Sequence, residues 1–184
     1  MKNTYNIIPD ASVEILRQLK GQQVEGISVE QTDTLEHALS QMVILHLSNE
    51  DISIWSEEVE IRPDEYPDLA RVCVFREQKG RWDSLGERLV RFPLGETVDS
   101  VELTTDTVTI QEKNQSPFIL ANTKGIAIRF GSKTLWLEKG CYWSEVLEVT
   151  LASNSEAYSF RDEWSSAADD DDTIYQSKTE RREI

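Results

Sequence analysis

The chain has 184 residues, 39% hydrophobic and 29% charged, which suits one domain or two small ones around a real core and argues against disorder of the whole. Nineteen basic residues against thirty-four acidic ones give a net charge of -15 and a pI near 4.5. That balance repels nucleic-acid phosphate and anionic lipid and attracts basic surfaces, so neither nucleic acid nor membrane is expected as a partner.

At the N-terminus Asn3, Asn6, Pro9 and Asp10 interrupt the few apolar residues, and no stretch reaches membrane-spanning length. A cytoplasmic location is the expectation. Asp10 reads as the cap of a short helix with Val13, Leu16 and Leu19 on its apolar face and Gly21 as its stop. Val43, Leu45, Leu47, Ile52 and Ile54 then alternate with polar residues around Ser48-Asn49-Glu50-Asp51, the pattern of a hairpin with one buried face. Within it, His46 is set on the face opposite Leu45 and Leu47.

The segment from Glu50 to Asp68 is the most acidic before the tail. Trp55 and Tyr66 lie among Glu57, Glu58, Glu60, Asp64 and Glu65, opposed in sign only by Arg62. Aromatic anchors ringed by carboxylates suit a basic protein partner, the acids steering and the rings anchoring; the competing reading is a solvated, charge-guarded hairpin edge. Arg71, Arg76, Lys79, Arg81, Arg88 and Arg91 follow, and they offer internal pairing to the same acids.

The second half repeats the first. Ile126, Ile128, Phe130, Leu135 and Leu137 fall 83 positions after the first hairpin's apolar set, and Gly95, Val98, Val101 and Leu103 fall 74 after Gly21, Val24, Ile27 and Val29. An insertion around "QEKNQSP" accounts for the difference of nine. The expected fold is therefore mainly β, an antiparallel sandwich or paired barrel-like sheets, with similar halves at 1–80 and 81–161 packed as one unit. Residues 162–184, opening on "DEWSSAADDDD", read as an acidic flexible tail.

Chemistry-bearing motifs are absent. His37 and His46 have no Cys or His partner at metal spacing, Cys73 and Cys141 read as small buried hydrophobes, and "RFGSKT" reads as a hairpin turn rather than a phosphate loop. No cofactor, metal or catalytic residue is assigned. The function expected is a non-enzymatic acidic module engaging a basic protein, similar in general type to small acidic bacterial immunity proteins, with no motif carrying the likeness. The alternatives are a sandwich binding a small ligand or glycan through Trp55 and Trp136, and an enzyme whose residues are scattered over several strands.

Overall fold

The computed structural model describes residues 2–30, 32–59, 69–85, 88–112, 116–140, 144–154, 160 and 173–184. In chain order these form β1 (Lys2–Asn6), α1 (Asp10–Arg17), β2 (Gln23–Glu30), β3 (Ala38–Ser40), β4 (Met42–His46), β5 (Glu50–Val59), β6 (Leu69–Gln78), a 3-10 turn (Asp83–Leu85), β7 (Leu89–Glu112), β8 (Phe118–Phe130), β9 (Lys133–Lys139), β10 (Leu147–Ser153) and β11 (Thr173–Glu183). The described chain is thus mainly β. No helix among these residues is long and apolar enough to cross a membrane.

The strands follow one open path, β3-β10-β9-β8-β7-β2-β4-β5-β6, instead of the expected separate sheets. Every neighbour on that path is antiparallel, while β1 lies parallel on β8. The reason is β7. The sequence suggests two short strands at "VDSVEL" and "TVTIQ", but Thr104-Thr105-Asp106 between them holds no Gly or Pro, and the backbone continues as one strand of 24 residues. It pairs with β2 from Leu89 to Thr97 and with β8 from Val98 to Ile110, the second ladder bending at register shifts between Val98 and Ser100 and between Thr104 and Thr105.

Apolar residues from both ends of this path meet in one core. Val13 and Leu16 of α1 and Leu19 just beyond it join Ile27, Leu45, Ile54 and Val74 from one end and Val101, Ile128, Leu135 and Val149 from the other. The helix begins at Asp10, with Pro9 in the cap position and no side-chain cap bond, so Asp10 does not cap it as expected. Gly21 supplies the stop in the left-handed region, at φ +80°. Alongside β6, Ser12 Oγ accepts from the Val74 N–H at 2.9 Å and donates to the Val74 carbonyl at 3.2 Å. Lys139 and Asn6 both donate to the Ala70 carbonyl, Asn6 at 2.6 Å.

The repeated residues occupy matching ladder positions. In one half Ile27 faces Leu45 and Leu45 faces Ile52; in the other Val101 faces Ile128 and Ile128 faces Leu135. These are the same offsets of 74 and 83 found in the sequence, and Leu45 and Ile128 are both buried.

The tail requires a correction. Thr173–Glu183 is β11, paired antiparallel with β7 from Glu112 through Glu102, and the Ile184 N–H donates to the Val101 carbonyl at 3.0 Å. The described side chains of β11 are exposed, so it has no buried face to give it an apolar period. What orders it is the open hydrogen-bonding edge of β7, with Thr179 donating to Asp106 at 2.5 Å. The part of the expected tail at 162–172 lies outside the described residues.

Candidate functional site

Two polar constellations stand out around β4 and β5. The first is an open groove of about 450 Å³ lined by Trp55, Trp82, Met42, Gln41, Ser56 and the four glutamates Glu30, Glu57, Glu58 and Glu145. Strand alternation places Trp55 outward, since Ile54 beside it is buried in the core. Trp55 meets Phe75 at 5.1 Å between ring centroids, and Trp82 at 6.2 Å with the ring planes 78° apart. Both indole N–H groups are buried without a hydrogen-bond acceptor among the described residues. The Arg81 guanidinium lies 5.1 Å from the centroid of Trp82, and its Nη1 is 2.6 Å from Glu77.

Of the residues singled out by sequence, Trp55, Glu57 and Glu58 come together in this groove. Glu60, Asp64, Glu65 and Tyr66 lie outside the described residues. The internal pairing offered by the basic segment is partly realised: Glu57 accepts from Arg71 at 3.2 Å, and Glu50 pairs with Arg76. Sequence reasoning did not place Trp82, Glu30 or Met42 here, because they arrive from the turn after β6, from β2 and from β4. Trp136 is not an exposed ring. It is buried and packs edge-on to Phe160 with centroids 5.3 Å apart, and the Phe160 ring in turn lies against Gly125, where a Cβ would stand 2.7 Å from the ring's Cζ.

Cys73, across the ladder from Trp55, is buried and donates to the groove residue Glu57 at 3.0 Å. Burial first, and then the neighbouring Glu57 carboxylate, push its thiol up to about 12, so it is the protonated, inert form that lies there.

The second constellation crosses β2, β4 and β5. Ser28 Oγ stands 2.7 Å from His46 Nε2, and His46 Nδ1 stands 2.9 Å from Asp51 Oδ1. A carboxylate oxygen accepts, so Nδ1 carries a proton, and in the neutral imidazole Nε2 then accepts from the Ser28 hydroxyl. Asp51 Oδ2 also accepts the Gly80 N–H at 2.8 Å, and Lys79 Nζ is 3.8 Å from Oδ1. His46 faces away from Leu45 and Leu47, as the alternation requires. Among the described residues no group of three or more His, Cys, Asp or Glu converges as a metal site.

No protein-family model, curated protein or solved structure matches this chain. The reading of the two constellations therefore rests on their own geometry.

Proposed function

We propose that this chain is a binding module whose acidic, aromatic groove receives a basic segment of a partner protein, in character like a small acidic immunity or inhibitor protein. The observation that carries the reading is the groove itself, which sets two tryptophans at nearly a right angle among four glutamates. Ring faces and carboxylates both favour a cation, and Arg81 already holds one over Trp82 from within the chain. The two indole N–H groups without acceptors suit a partner that also brings carbonyl oxygens. The matching ladder positions support a further reading: the units β2-β4-β5 and β7-β8-β9 are copies of one three-strand ancestor, with the groove built on the first copy.

Charge and anchor separate kinetically. Proteins retained from the native host at low salt by the wild-type chain should be lost when the bait is Trp55→Ala. With one such protein purified, joint replacement of Glu30, Glu58 and Glu145 by Gln should lower the association rate and flatten its salt dependence. Trp55→Ala should raise the dissociation rate about 30-fold, the equivalent of about 2 kcal/mol. Circular dichroism and melting must show both variants folded. A partner indifferent to both changes ends the reading.

A further inference from the structure

We propose that Ser28 is an activated nucleophile and that this chain accepts an acyl group on it from a small activated ester, an activity independent of the groove. The three side chains stand in the order that such chemistry needs: hydroxyl to imidazole at 2.7 Å, imidazole to carboxylate at 2.9 Å. Asp51 is fully sealed and His46 and Ser28 are buried with about 5% of their surface exposed, so the positioning carboxylate is dry and a substrate reaches the pair only when a covering side chain moves.

The fold does not require this arrangement. The offsets that carry β2 onto β7 and β4-β5 onto β8-β9 place Glu102, Arg129 and Thr134 where Ser28, His46 and Asp51 stand. That second frame forms with an exposed arginine and a threonine bonded to Asn154, and with no relay. A cover and a cation are also present. Ladder pairing sets Arg91 across from Ser28 and Gly26 across from His46. The Arg91 side chain lies over the space left by Gly26, its Nε 3.0 Å from where a Cβ would be. Half exposed and, among the described residues, ion-paired only with Glu25 at 3.7 Å, Arg91 can swing aside to admit a small substrate and return its guanidinium toward the developing oxyanion. The neighbouring backbone N–H groups are committed to the sheet, so this charge takes the place of an amide cradle.

In the step, Ser28 Oγ bonds to the ester carbonyl carbon while His46 Nε2 takes the hydroxyl proton. The tetrahedral adduct collapses with cleavage of the C–O bond to the leaving alcohol, which departs with that proton or as its anion. Ser28 and His46 are the catalytic pair, and Asp51 is a positioning residue.

The probe is p-nitrophenyl acetate, read by rapid-mixing release of p-nitrophenolate and by peptide mass spectrometry. The expected result is a burst of about one equivalent with the acetyl group on Ser28. It should vanish in Ser28→Ala, slow about 100-fold or more in His46→Gln, and be lost in the urea-unfolded chain. Asp51→Asn should slow acetylation and alter its pH profile while leaving the folded spectrum in place. Acetyl groups on lysines alone, with Ser28 unmodified, overturn the proposal. So does a Ser28 acetylation rate that His46→Gln or urea leaves unchanged.

Discussion

Cys73 shows how a single side chain records its surroundings. With the thiol pushed up to about 12, only about one molecule in ten thousand carries a thiolate there at pH 8. Iodoacetamide at that pH should therefore leave Cys73 unmodified in the native protein and label it only on unfolding, as peptide mapping will read. The sign for stability follows. The unfolded thiol, near the ordinary value of about 8.5, ionises first, so the contribution is complete below that value and is lost as pH rises toward 12. A Cys73 that reacts natively at the rate of a free thiol would mean that Glu57 and the burial described are not in place. At the same scale, the outward turn of Trp55 and His46 was legible because strand alternation has a period of two. The pairing of Ser28 with His46 was not, because ladder register, and not any spacing along the chain, brings β2 beside β4.

Among the elements, β7 and β11 depart most from what the residues alone suggest. Period and punctuation locate a strand with one buried face, as they did for both hairpins. They are silent where a strand is exposed on both sides or runs straight through a place that merely lacks a breaker. β11 is held by main-chain bonds to β7 along its length, with Thr179 on Asp106 and Lys20 near Glu183 at 3.6 Å. Removing residues 173–184 strips one edge of β7 and leaves Asp106 without Thr179. The melting temperature should fall by several degrees, given that about 2–4 °C accompanies each kcal/mol in a chain of this size. An unchanged melting temperature would show that β11 contributes nothing to the folded state.

For the molecule as a whole, the doubled apolar pattern was the most informative thing in the sequence, because burying one face of each hairpin constrains five residues at once. What it left open was how the two units join. That is decided by β7, which begins beside β2, ends beside β8 and β11, and ties both halves to one core. An excess of fifteen negative charges adds a uniform repulsion between copies of the chain, effective at low ionic strength and screened beyond about 8 Å at physiological salt.

With that repulsion screened, the protection of the strand edge rests on a few side chains. The Ser12 hydroxyl occupies both hydrogen-bonding positions that Val74 would otherwise offer at the border of β6, and Asn6 and Lys139 occupy the carbonyl of Ala70. Filled at these two positions, the border of β6 is a poorer template for a strand from another molecule, which makes Ser12 a guard against fibril growth as well as a contact within the fold. Ser12→Ala should leave the circular dichroism spectrum intact yet give concentration-dependent association at physiological salt, followed by light scattering and thioflavin binding. If that variant stays monomeric at millimolar concentration, the border is closed by α1 as a whole and the hydroxyl is dispensable.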